Sequence, residues 1–146
     1  MLPRGITGFY DGHQPPPPML DEKCFDRFCY ALARAHGGAV RSLDHDLSGK
    51  NFYAARLELR NTPCVLLVNA HHPYGAFAPS LDPWPPVFGD PPVDPTPFWP
   101  EVQWMTAAQL QQDWHGAVGE LGEAEMEQIR YWNPRTVGEI LFNFWD

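Results

Sequence analysis

Two short clusters hold the residue types and spacing that could do acid–base or metal chemistry. Asp44-His45-Asp46 alternates two carboxylates with an imidazole. On extended backbone that puts both carboxylates on one face and the ring on the other. His71-His72 follows the apolar run Cys64 to Ala70, and an imidazole at a strand end can serve as general base or metal ligand. His71 or His72 acting with Asp44 or Asp46 would make a small metal-assisted hydrolase. Each cluster also has a plainer reading. The first is a solvated polar turn beside Ser48, Gly49 and Lys50; the second is a ring that bonds a carbonyl at the end of a sheet. A metal site needs three or four converging ligands, and no second cluster in the chain must meet Asp44-His45-Asp46. Adjacent histidines on extended backbone point opposite ways. His13, His36 and His115 are isolated. Ser42, Ser48 and Ser80 lack a G-x-S-x-G frame, and no G-x-x-x-x-G-K-[ST] loop is present. No cofactor and no metal are therefore expected, and the balance leans away from an enzyme.

Charge is the stronger signal. The net charge is −8 over 146 residues. Residues 1–60 hold eight Lys/Arg against seven Asp/Glu, whereas residues 61–146 hold only Arg130 and Arg135 against eleven acids. Phosphate-binding surfaces need clustered Lys/Arg, so no nucleic-acid partner is expected. A macromolecular partner of this chain would be basic; otherwise the acidity serves solubility. No apolar run approaches the ~18 residues of a membrane span, and no basic-then-apolar leader opens the chain. Cys24, Cys29 and Cys64 form no CxxC pair, which fits buried thiols in a reducing, cytoplasmic setting.

The elements that must position these groups read as one α+β domain over residues 1–146. Residues 1–20 form an extended lead-in with the stiff run Pro15 to Pro18, a spacer into a helix or a ligand for an SH3-type domain; a structural adaptor working through this run or the acidic face is a further reading. Asp21 caps a helix over 21–36, with Phe25, Phe28, Cys29 and Leu32 at helical spacing and Gly37-Gly38 ending it. Ala39 to Leu43 is a short strand. Phe52 to Arg60 alternates, with Tyr53, Ala55, Leu57 and Leu59 on one face. Cys64 to Ala70 reads as a central strand covered on both sides, joined to its predecessor by the turn Asn61-Thr62-Pro63. Gly75 to Ala78 adds a fourth strand and Glu101 to Met105 an edge strand. Thr106 caps a helix over 107–113, and Glu123 to Trp132 forms another with Met126, Ile129 and Trp132 inward and its acids outward. Asn133-Pro134 breaks it. Thr136 and Glu139 form a capping box for a last apolar helix running to the end, with Val137, Ile140, Leu141 and Phe144 on one face. The fold class is an antiparallel sheet of four to five strands with an N-terminal helix and C-terminal helices packed on it.

Residues 79–100 stand apart. Eight of the eighteen residues from Pro83 to Pro100 are proline. Flexible linkers rarely carry so many rings, so this is a long loop pinned by its aromatics. Trp84, Phe88 and Trp99 are candidate anchors for a partner, because large rings dominate interface hot spots; they would equally tie the loop to its own core. Asp82, Asp90 and Asp94 lie among them. Glu120, Glu123, Glu125 and Glu127 form a charge run that is either a solvated helix face or a docking patch. The partner-binding set is thus Asp82, Trp84, Phe88, Asp90, Asp94, Trp99, Glu120, Glu123 and Glu127, in a monomer or weak dimer.

The segment Tyr131-Trp132-Asn133-Pro134-Arg135-Thr136-Val137-Gly138-Glu139-Ile140-Leu141-Phe142-Asn143-Phe144-Trp145-Asp146 resembles the closing motif Y-W-x-P-x-x-[VI]-G-[ED]-[IL]-[IL]-F-N-x-W-D of small bacterial proteins that accompany polymorphic or contact-dependent toxins as immunity proteins. Leu67 to Tyr74 is similar to the middle strand and loop of that family. The resemblance covers these two stretches only and carries no enzymatic signature, and residues 79–100 have no counterpart in it. It implies a cytoplasmic protein that neutralises one cognate toxin by binding it.

Overall fold

The computed structural model describes residues 1–145. One helix, α1 (Glu22–Ala35), precedes a sheet of β1 (Ala39–Asp44), β2 (Phe52–Leu59), β3 (Thr62–Asn69), β4 (Tyr74–Ala78) and β5 (Gln103–Trp104). Three helices follow: α2 (Ala107–Leu110), α3 (Glu123–Trp132) and α4 (Val137–Leu141). The fold is α+β. The strands lie in chain order. The first four are antiparallel; β5 runs parallel to β4, so the sheet is mixed where pure antiparallel pairing was expected. Residues 79–102 carry the chain back to the same end of β4, which makes the last pairing parallel.

Side-chain alternation sends each central strand to two cores. Tyr53, Ala55 and Leu57 of β2, Leu66 and Val68 of β3 and Phe77 of β4 meet α1 through Phe25, Phe28, Cys29 and Leu32. On the opposite face Phe52, Ala54, Val65, Leu67 and Ala76 meet Leu2, Ile6, Leu110, Ile129, Ile140 and Phe142. β3 therefore reads as an uninterrupted apolar run because both of its faces are covered. The α1 cap is as expected: the Asp21 carboxylate accepts from the Lys23 N–H.

Several boundaries differ for identifiable reasons. Arg60 and Asn61 both have positive φ, 51° and 65°, so the β2–β3 turn is a two-residue hairpin of the type whose backbone matches strand twist. Thr62 and Pro63 consequently belong to β3. Pro63 lies beyond Val65, the last β3 residue paired with β4, so its missing N–H leaves no ladder bond unmade. The final helix stops at Leu141 and does not run to the end. The Asn51 side chain takes the Asn143 N–H at 2.7 Å, pulling the backbone out of the helix after Phe142. Phe142 is buried and Phe144 is 48% exposed, so it is not on the inward face. Gly138 sits where a Cβ would meet the Leu110 carbonyl at 3.0 Å and the Phe88 ring at 2.8 Å; its lack of a side chain lets α4 lie against α2.

The first twenty residues are no mere lead-in. Ile6 is fully buried and Leu2 nearly so. The Leu2 N–H donates to the Ala117 carbonyl at 2.7 Å, and the Leu20 N–H to the Ala70 carbonyl at 2.7 Å. Three buried asparagines fasten this strap. Asn51 and Asn69 both donate from Nδ2 to the Ile6 carbonyl, at 2.8 and 3.0 Å. Each also reaches the C-terminal helix, Asn51 at Ile140 (3.2 Å) and Asn69 at Leu141 (2.7 Å). Asn143 donates to the Thr7 carbonyl at 3.2 Å. Asn69 Oδ1 accepts from the N–H groups of His71 and His72.

Unpaired buried polar groups cost ~1–3 kcal/mol each. Asn69→Ala strands the Leu141 carbonyl and two backbone N–H groups, so we expect a loss of about 2–4 kcal/mol. This will be read as a lower urea midpoint at unchanged slope.

Candidate functional site

The residues that suggested hydrolysis are dispersed among structural tasks. Asp44 pairs with Lys50 at 2.7 Å and accepts the Asp46 N–H at 2.9 Å. Partial burial pushes the Asp44 carboxyl up, and the bonds from Lys50 and the Asp46 N–H outweigh that, holding it below the usual carboxylate range. Asp46 closes a small turn on the Ser48 N–H, and that bond holds its carboxyl low as well. His45 Nε2 lies 2.5 Å from Asp26 of α1. His71 Nδ1 donates to the Pro18 carbonyl at 2.9 Å, and His72 Nε2 to the Arg4 carbonyl at 2.8 Å. A carbonyl only accepts, so these ring nitrogens carry protons. Both imidazoles thus clamp the N-terminal strap to the end of β3. Among the described residues no group of three or more His, Cys, Asp or Glu is placed to hold a metal ion. One fragment of the arrangement survives: His71 lines a pocket of about 350 Å³ together with Lys50 and Asn143.

The Pro15–Pro18 run is likewise engaged by its own chain, with Pro17 buried and the Pro18 carbonyl taken by His71. Two of the three thiols are quiet. Burial pushes the Cys29 thiol far up and the Cys64 thiol to about 11, away from the thiolate that reactivity requires.

The proline–aromatic loop turns its rings inward. Phe88 is 7% exposed and packs on Phe142 at 5.7 Å, which withdraws it from the partner-binding set. Trp84 stacks on Phe52 at 5.5 Å with planes 3° apart. Trp99 packs on Phe28 at 5.5 Å. These two tryptophans grip opposite faces of the sheet, and the Gly89 N–H bonds the Phe77 carbonyl at 2.9 Å. The loop therefore wraps the β4 edge and protects it. Its acids remain at the surface. Asp90 caps α2 through the Ala107 N–H and Asp94 holds the Thr96 N–H. Asp82 is exposed.

The acids around α3 divide sharply. Glu125, expected on the outer face, is 1% exposed. Its Oε1 accepts from the N–H groups of Gly5 (2.8 Å) and Gly122 (3.2 Å), and its Oε2 from the N–H and hydroxyl of Thr7. Four donors make an inward carboxylate tolerable. Glu120, Glu123 and Glu127 do face solvent. Glu123 is paired with Arg130 at 2.9 Å; Glu120 and Glu127 have no ion pair among the described residues.

Trp132 also departs from expectation. It is 37% exposed, its indole N–H donating to Gln128 at 3.1 Å. Tyr131 beside it is 78% exposed. Glu127 and Tyr131, like Gln128 and Trp132, are four residues apart and so neighbours on one helix surface. Phe9 from the strap and Trp145 from the C-terminal segment, 6.4 Å apart, complete an open groove of about 560 Å³ with these four. The i, i+4 spacing was visible in the chain; the strap's contribution was not.

Comparison with protein-family models, with curated proteins and with solved structures finds no match for this chain.

Two outcomes follow for the strap. A glutamine has one acceptor oxygen, so in Glu125→Gln the NH₂ group must face donors. We expect a cost of about 2–3 kcal/mol with faster amide exchange at Gly5 and Thr7, while Glu127→Gln leaves the melting temperature unchanged. Burial also depresses the His71 pKa, with the Pro18 carbonyl opposing. The unfolded chain then binds the proton more tightly, so stability falls as pH drops below ~6.5. His71→Gln should flatten the stability profile between about pH 7 and 5.5.

Proposed function

We propose that this protein is a binding protein for a basic protein partner, and that it acts as the cytoplasmic immunity protein of a toxin. One observation carries the binding reading. The acids exposed along residues 61–145 outnumber the two arginines of that stretch. Residues 61–146 hold eleven acids and two arginines, and Arg130 is already paired with Glu123. Asp82, Glu120 and Glu127 keep exposed carboxylates without ion pairs among the described residues. Such a surface attracts a cationic domain, speeds encounter and repels nucleic acid.

The toxin assignment rests on the resemblance of residues 131–146 to an immunity-protein motif. A nuclease domain, basic because it binds phosphates, is the kind of toxin that this charge suits. No helix is long and apolar enough to cross a membrane among the described residues.

The test is co-expression with the products of adjacent reading frames, followed by stopped-flow association. We expect capture of a basic protein, with an association rate that falls steeply as salt rises. Reversing Glu120, Glu123 and Glu127 to Lys should slow association about tenfold or more at low salt without changing the melting temperature by more than a few degrees. An association rate indifferent to both salt and charge reversal would refute steering by this face.

A further inference from the structure

We propose that the groove between α3 and the two terminal segments receives an arginine side chain of that partner; the inference rests on the basic-partner reading and gives it a site. Three features converge there. The first is aromatic. Tyr131 and Trp132 form one wall, their rings 5.2 Å apart and nearly perpendicular. Phe9 and Trp145, 6.4 Å apart, line the groove with them. Ring faces attract cations, tryptophan most strongly. The second is charge. Glu127 belongs to the same lining, exposed and free of ion pairs among the described residues.

The third is the helix itself. α3 is 10 residues long and ends at Trp132, one of the residues lining the groove, and a helix C-terminus carries partial negative charge. Asn133 turns left-handed there (φ 49°, ψ 59°), its N–H donating to the Ile129 carbonyl. The neighbouring Arg130 is held by Glu123 at 2.9 Å and does not fill the groove.

Guanidinium fits this set better than ammonium. It is planar, stacks on rings, and offers paired N–H donors to a carboxylate. Its weaker hydration suits an open groove lined by rings. Gln128 is already committed to the Trp132 indole, so that contact fixes the ring and leaves Glu127 as the counter-ion. A hydrophobic side chain would leave that carboxylate facing an apolar occupant, and an anion would meet both it and the helix end.

The experiment titrates the intact protein with N-acetyl-arginine amide and follows the indole N–H resonances of its tryptophans by NMR. N-acetyl-citrulline amide, neutral and nearly isosteric, is the control. We expect saturable shifts confined to Trp132 and Trp145 with arginine and none with citrulline. Glu127→Gln and Tyr131→Ala should each weaken binding about two- to fivefold; both residues are exposed, so both variants should fold. Equal shifts from citrulline, or undiminished binding in both variants, overturn the proposal. The probe needs no partner, so the two readings fail separately. A groove that binds arginine in a protein that captures no basic protein sinks the partner reading. A captured basic protein whose affinity ignores both variants sinks the groove.

Discussion

Two asparagine amides, those of Asn51 and Asn69, meet on a single backbone carbonyl, that of Ile6. Most of the architecture on that side of the sheet depends on this junction. Ile6 lies in a strap with no regular secondary structure, and its buried carbonyl would otherwise have no partner. The asparagines stand at the start of one central strand and the end of the next. Their amides have donors left over, and these reach the carbonyls of Ile140 and Leu141. A few amide groups thereby do what a ladder of backbone bonds does elsewhere: they satisfy irregular chain in a buried place. Apolar contacts around Ile6 and Phe142 supply the driving force, but they are not directional. The amides decide where the strap lies.

The same economy explains why two glutamates two residues apart have opposite fates. Glu125 is aimed inward, and its burial is sustained by four donors from the strap and the helix start. Glu127 is aimed outward and makes no ion pair among the described residues. The strap thus converts one acid into structure, and by bringing Phe9 to the edge of α3 it also completes the groove beside the other. Fold and surface chemistry share one set of contacts here.

Much of the fold was legible in the chain because its signals are local. The cap at Asp21, the capping box of Thr136 and Glu139, the alternation of β2 and the doubly covered β3 each follow from neighbouring residue types. Other features depend on remote residues. The strap is buried because asparagines more than forty positions away need its carbonyls, and no periodicity announces that. Asn143 leaves the last helix because Asn51 takes its N–H. Glu125 differs from Glu123 and Glu127 locally in its capping bond to the Gly122 N–H, but its burial depends on the remote Gly5 and Thr7. The two histidines invited a chemical reading by type, whereas their rings are spent on the carbonyls of Pro18 and Arg4. Of the surface, the acidity was plain in the composition. The aromatic groove was not, since it draws on Phe9, α3 and Trp145, which meet only in three dimensions.

The bond from Asn143 to the Thr7 carbonyl spans 136 positions of the chain, and this has a consequence for synthesis. During translation α1 and the first four strands can pair among themselves as they emerge, since their contacts are between sequence neighbours. The opposite face of that sheet, with Phe52, Val65 and Leu67, must wait for residues near 140 to leave the ribosome. Until then the strap has no complete socket. Contacts of such long range are slow to form, and uncovered apolar surface invites aggregation meanwhile. Until residues near 140 are in place the sheet is covered on one face only, and the strap settles together with them.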